Sequence, residues 1–283
     1  VRAVNGLQDP VETLNIQMFG GFMVSRGDMV LTDASRRSRR LWLLMKYLLV
    51  YRDRRVSVNS LVEALWGEEE CLYPERALQN LVYRLRLLLG GGERGEDYIL
   101  QSQGAYYWNN QANCCIDMEQ FERTAEMADR AYRRKEETAE SLYRAAVSYY
   151  QGELLPDCGY EEWILAPRNR YKELYLRSVK RLTELLQQSQ QLETVVQVCT
   201  EAARFEPYEE SLYAAKIDAL VDMGKIAQAR TEYENISQLL YRDLGVKPSP
   251  ALEKAFQRIR GGGGSVQMDV DTIERMISGN DVE

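Results

Sequence analysis

Apolar positions along the chain change their period three times. From Leu14 to Leu31 they alternate: Leu14, Ile16 and Met18 precede a break at Gly20-Gly21, and Phe22 and Val24 precede a second at Arg26-Gly27-Asp28. Alternation punctuated by glycine predicts a small antiparallel sheet. The spacing then lengthens to that of a helix. Leu41, Leu44, Met45 and Leu48 fall at i, i+3, i+4 and i+7, with Ser35 or Ser38 available as a cap. Val58, Leu61, Val62, Leu65 and Trp66 repeat the pattern behind Ser57 and stop at Gly67. Leu78, Leu81, Val82, Leu85 and Leu89 mark a third helix over about 75–89, with Pro74 ahead of it and Gly90-Gly91-Gly92 behind. Alternation returns in Tyr98-Ile99-Leu100 and Tyr106-Tyr107-Trp108, two aromatic-rich runs around Gly104 that predict a β-hairpin.

Strands, three helices and a closing hairpin make a winged helix, here over residues 1–112. The period is helical again over residues 113–260, with candidate helices at about 117–134, 137–151, 167–189, 192–205, 209–222, 225–241 and 250–260. Short connections holding Gly152, Pro207, Gly224, Gly245 and Pro248 suggest stacked helix pairs, the last of them close to the tetratricopeptide length of about 34 residues. The fold class is thus an α+β winged helix followed by an all-α, tetratricopeptide-like helical-repeat domain. Residues 261–265 read Gly-Gly-Gly-Gly-Ser, the composition of an engineered flexible joint. In the acidic stretch 266–283, Val270, Ile273, Met276 and Ile277 form one apolar edge, the pattern of a tethered partner-like peptide that lays a helix into a groove.

Charge and composition narrow the function. Net charge is −7, yet residues 1–112 are nearly balanced, with 14 Lys and Arg against 13 Asp and Glu. An acidic remainder does not suit a chain that coats nucleic acid along its length. Histidine is absent, which removes the commonest general base and metal ligand. Cys71, Cys114, Cys115, Cys158 and Cys199 form no C-x-x-C pair, so neither a zinc site nor a disulfide framework is expected. Glu161-Glu162 and Glu209-Glu210 lack a partner acid or nucleophile and read as solvated faces. The expectation is a cytoplasmic protein that is no enzyme, with no cofactor, no metal and no membrane segment.

The third helix carries chemistry opposite its apolar stripe. Arg76, Asn80 and Tyr83 lie on that opposite face, and Gln79, Arg84 and Arg86 flank it. Arg can bond guanine in bidentate fashion, and Asn or Gln can do the same to adenine, so this face suits a major groove. The run Arg36-Arg37-Ser38-Arg39-Arg40 is either a phosphate patch or a solvated charge run. Gln101-Ser102-Gln103-Gly104, at the hairpin tip, holds no cation.

Taken in order, VSVNSLVEALWG (56–67), ALQNLVYRLRLLLG (77–90), Gly104-Ala105-Tyr106-Tyr107, Asp117 with Phe121, YYQGELLPD (149–157), Trp163, Arg170, FEPYEESLYAAKIDALVDMGK (205–225) and DLGVKPSPAL (243–252) resemble one family. It comprises bacterial activators that join a response-regulator-type winged helix to a bacterial transcriptional activator domain, the antibiotic-regulatory (SARP) proteins among them. The resemblance covers nearly all of residues 14–260. It implies sequence-specific binding of double-stranded DNA, with Arg76, Gln79, Asn80, Tyr83, Arg84 and Arg86 on bases or phosphates. It also implies a phosphate bond from the indole of Trp66, whose place in the apolar stripe equally suits core packing. The partners implied are a regulatory protein or peptide on the helical domain, RNA polymerase, and a second protomer on DNA. An alternative stays open: a helical-repeat scaffold or adaptor with secondary or lost DNA binding.

Overall fold

The computed structural model describes residues 13–32, 39–67, 71–90, 97–159 and 161–262. Val270, Ile273, Met276 and Ile277, the caps Ser35 and Ser38, and residues Arg36–Ser38 lie outside the described residues. Two compact units divide at Ser178/Val179, whereas the change of pattern in the sequence falls at 112/113.

The first unit opens with a four-stranded sheet in the order β3-β2-β1-β7: β1 (Leu14–Gln17), β2 (Met23–Arg26), β3 (Met29–Thr32) and β7 (Cys114–Ile116). β1 pairs antiparallel with β2, and β2 with β3, as the alternation predicts. The fourth strand is new. β7 runs parallel to β1, with Leu14 opposite Cys114 and Ile16 opposite Ile116. A three-residue strand running straight into a helix has too few positions to show a period of two. Past β1 the chain continues against a later segment: the Met18 carbonyl accepts from the Leu155 amide at 2.8 Å, and the Gly20 amide donates to the Glu153 carbonyl at 2.9 Å. Gly20 sits at φ 70°, where a Cβ would lie 2.3 Å from the Gln151 carbonyl oxygen, so only glycine fits.

Three helices follow, α1 (Arg39–Val50), α2 (Val58–Trp66) and α3 (Pro74–Leu88), with a small sheet β4-β6-β5 formed by Val56–Ser57, Ala105–Trp108 and Ile99–Ser102. The capping chemistry is as expected. Ser57 Oγ accepts from the Ser60 amide at 3.1 Å, Pro74 opens α3, and Gly67 ends α2 at φ 55°. Leu44, Met45, Leu48, Leu61, Leu78 and Leu85 are fully buried. At about 1.5–3 kcal/mol for each buried side chain, this packing dominates the stability of the three-helix core.

α4 (Asp117–Arg133) and α5 (Thr138–Tyr149) form a helical hairpin. α6 (Glu162–Gln188) begins five residues ahead of the expected start at 167, with Pro167 inside it. Proline has no amide to give the carbonyl four residues back. That carbonyl, of Trp163, accepts from the Tyr51 hydroxyl at 2.7 Å instead. The missing bond is thus made from outside the helix.

In the second unit, α7 (Leu192–Phe205), α8 (Glu210–Asp222), α9 (Ile226–Leu244) and α10 (Pro250–Gly262) stack in sequence. Ile217, Tyr233, Ile236, Leu252 and Ile259 meet in their shared core, and Tyr233 stacks on Phe256 with centroids 4.3 Å apart. Glu210 does more than face solvent: its Oε2 accepts from the Ser249 amide at 2.6 Å, ahead of α10. α10 runs to Gly262, two residues into the glycine run expected as a joint.

Candidate nucleic-acid interface

On α3 the burial pattern separates two faces. Leu78, Val82 and Leu85 point into the core, while Arg76, Gln79, Asn80, Tyr83, Arg84 and Leu87 are exposed. Exposure of Tyr83 reaches 62 %. The arginine nearest the helix start is ordered by an aromatic neighbour, with the Arg76 guanidinium carbon 5.6 Å from the Tyr73 ring centre. Two guanidinium groups, two amide side chains and a phenol therefore share one solvent-facing strip a little over two turns long.

Two residues expected in that set stand apart from it. Arg86 is half-buried and donates Nε and Nη2 to the Ile99 carbonyl, at 3.0 and 2.7 Å. It braces the hairpin against α3 instead of facing solvent. Trp66 is buried to 9 % exposure, with the Arg40 guanidinium 5.7 Å from its ring. Arg40 is held there by a bond from Nε to the Leu65 carbonyl at 3.2 Å. Arg39 and Arg40, Asn80 and Arg84, Trp66, and Glu161–Trp163 line a groove of about 1080 Å³.

The hairpin turns at Gln103 (φ 51°) and Gly104 (φ 72°), two successive left-handed residues, the geometry of a tight primed turn. β4 lies along β6, with Val56 opposite Tyr106 and Ser57 opposite Ala105. This third strand places a cation beside the tip that the tip's own sequence lacks. Arg55 is exposed, its guanidinium carbon 5.5 Å from the Tyr107 ring centre and its Nη1 3.4 Å from Gln103 Oε1. A cation supplied across the sheet leaves no trace in the sequence of the turn itself.

Elsewhere in the first unit, buried polar and aromatic joints tie its early segments to the helices that follow. Asp117 accepts from the amides of Met18 at 2.9 Å and Phe19 at 3.0 Å, and Phe121 meets Phe19 edge-on at 5.6 Å. Burial raises the Asp117 carboxyl above its ordinary range, and those amide bonds oppose the rise. Glu122 takes Arg52 at 3.0 Å, the Tyr171 hydroxyl at 3.2 Å, and Arg170 as a further ion pair. Burial first, and then the Glu122 charge, push the Tyr171 hydroxyl up to about 12. Several residues that carry the family resemblance are therefore structural ties. Among the described residues no cluster of Cys, Asp and Glu could hold a metal, and no helix is long and apolar enough to cross a membrane.

Residues 116–260 match the model of the bacterial transcriptional activator domain. The chain belongs to that family. Within it, the chain is 28% identical over 218 residues to the regulatory protein AfsR of Streptomyces coelicolor, covering 76% of this chain and 21% of that protein. It is 25% identical over 248 residues to the regulatory protein DnrI of Streptomyces peucetius, covering 85% of this chain and 89% of that one. It is 26% identical over 221 residues to the transcriptional regulatory protein EmbR of Mycobacterium tuberculosis, covering 76% and 56%. The chain thus spans about a fifth of AfsR and just over half of EmbR. A solved structure of Mycobacterium tuberculosis EmbR in complex with a low affinity phosphopeptide superposes with a TM-score of 0.70 at 19% identity, over 95% of this chain and 69% of that one. The shared fold is a winged helix followed by helical repeats, and these relatives are regulatory proteins, EmbR a transcriptional one.

Proposed function

We propose that this chain is a sequence-specific, double-stranded-DNA-binding regulator of transcription, of the activating kind, working in the cytoplasm. The observation that carries this reading is the exposed polar strip Arg76, Gln79, Asn80, Tyr83 and Arg84, set on a helix whose other face is locked into the core. A rigid helix is what major-groove reading requires, because base contacts discriminate only when their geometry is fixed. Asn80 and Arg84 are the base readers, and Arg76 and Tyr83 contact phosphate or base edges. Arg86 contributes indirectly by bracing the hairpin. Trp66 packs beside the groove that Asn80 and Arg84 also line and is held there with Arg40, and any phosphate bond from its indole is secondary to that packing.

Two protomers on half-sites about 10–10.5 bp apart would place both readers on one side of the duplex. The helical repeats are the receiving surface for a regulatory protein or peptide. The phosphopeptide bound to EmbR is the analogy for such a partner, and RNA polymerase is the downstream one. Under this division of labour the winged helix and the helical repeats are the two functional domains, in spite of the compact division at Ser178/Val179.

The decisive experiment selects a preferred duplex from a random pool and measures anisotropy against that duplex and a scrambled one. Asn80→Ala and Arg84→Ala should each weaken specific binding by about 1–3 kcal/mol, leaving scrambled-duplex binding and the melting temperature nearly unchanged. Equal affinity of the native protein for both duplexes would remove α3 as a reader and leave a scaffold role.

A further inference from the structure

Three neighbouring arginines precede β4, and they have three different fates. Arg52 is paired to Glu122 and Arg54 lies with its guanidinium 4.0 Å from the Tyr51 ring centre, so both turn back toward the body of the unit. Arg55 goes the other way. The β4–β6 register, Val56 opposite Tyr106, puts position 55 next to Tyr107. The guanidinium rests against that ring and reaches the side chain of Gln103 at the tip. Among the described residues no carboxylate lies in ion-pair range of it, and the residue is exposed. Its charge is therefore held in place but left unneutralised. An aromatic platform limits the rotamers of an arginine without taking its donors, since the ring engages the face of the guanidinium and the N–H groups stay in its plane.

From this placement we infer that Arg55 is the cation of the wing: it contacts a backbone phosphate of the duplex flanking the segment read by α3. The inference rests on the proposed DNA binding and extends it to a second point of contact. The hairpin turn itself offers only Gln101, Ser102, Gln103 and Gly104. Gln103 has positive φ and directs its side chain to Arg55, so the turn serves to hold the cation. Ser57, two residues on and opposite Ala105, caps α2, and its hydroxyl shares a 2.8 Å hydrogen bond with that of Ser60, so the pair keeps one neutral hydroxyl donor free. A phosphate, unlike a base edge, requires only charge and donors there.

The test uses the full chain and measures binding to the selected duplex and to the scrambled one between 50 and 200 mM salt. A phosphate contact contributes about 0.9 to the slope of log affinity against log salt. Arg55→Ala should lower that slope by about one on both duplexes alike, Arg55→Lys should keep it, and neither should change the ratio between duplexes. Asn80→Ala should do the reverse, losing the ratio and keeping the slope. If Arg55→Ala has the native slope, or if it changes the ratio between duplexes and Lys fails to restore it, the phosphate assignment is wrong even though the protein binds DNA. If the native protein binds neither duplex at 50 mM salt, the DNA-binding reading falls and this inference with it. Arg55 is exposed and outside the core, so thermal melting should match the native chain and keep the slopes comparable.

Discussion

Tyr171 shows how much one residue depends on its surroundings. Its hydroxyl donates to Glu122 within a cluster that also gathers Arg52 and Arg170. Burial and the Glu122 charge hold its proton up to about 12, above the ordinary value near 10. The sign of the consequence follows from that direction. Below pH 10 the group is protonated in folded and unfolded chains alike, and its contribution is intact. Between pH 10 and 12 the unfolded chain loses the proton first, and the contribution drains away by about 1.4 kcal/mol per pH unit. Paired denaturant melts of the native chain and Tyr171→Phe should differ by a constant amount up to pH 10. The difference should then move steadily against the native chain. A difference that stays flat to pH 12 would mean that Tyr171 titrates normally.

At the scale of elements, α6 tests whether a proline inside a helix has been compensated. If the Tyr51 hydroxyl stands in for the amide missing at Pro167, Tyr51→Phe should cost about 1 kcal/mol by leaving the Trp163 carbonyl unpaired. In a Pro167→Ala background the same change should cost much less, because the new amide reaches that carbonyl. A double-mutant cycle in urea reads the coupling, and strict additivity would refute the compensation. The same helix shows what the sequence could and could not disclose. Proline marked its start at 167 by the usual stop signal, and the distant hydroxyl that overrides the signal has no local trace. β7 was missed for want of length, and Arg55 because its partner strand is more than forty residues away. The three helices of the winged helix, the Ser57 cap and Gly67 stop of α2, the Pro74 start of α3 and the exposed strip on α3 were legible, because each follows from spacing within one element. Arg86 flanks the strip as helical spacing places it, and its bonds to the Ile99 carbonyl of the hairpin are a long-range feature that no spacing within α3 discloses.

At the scale of the whole molecule, the pairing of β1 with β7 ties the start of the winged helix to the first helices of the activator domain. Residues 13–112 alone would lack β7, the Asp117 carboxylate on the Met18 and Phe19 amides, and the Leu154–Leu155 segment packed beyond β1. A fragment ending at residue 112 should therefore be less stable than one ending at Ser178, with faster amide exchange in β1 and a tendency to associate through the uncovered edge. Equal exchange protection of β1 in the two fragments would show that the sheet is self-sufficient. The parallel pairing also has a consequence in time. Leu14 and Cys114 are separated by a hundred residues, which a ribosome adding 5–20 residues per second spans in about 5–20 s. Through that interval β1 has left the exit tunnel without its neighbour, although α1 to α3 are already present and able to collapse. The winged helix thus ripens only when the activator domain begins to emerge, and a message cut short between the two yields a nascent chain that offers a raw strand edge to chaperones.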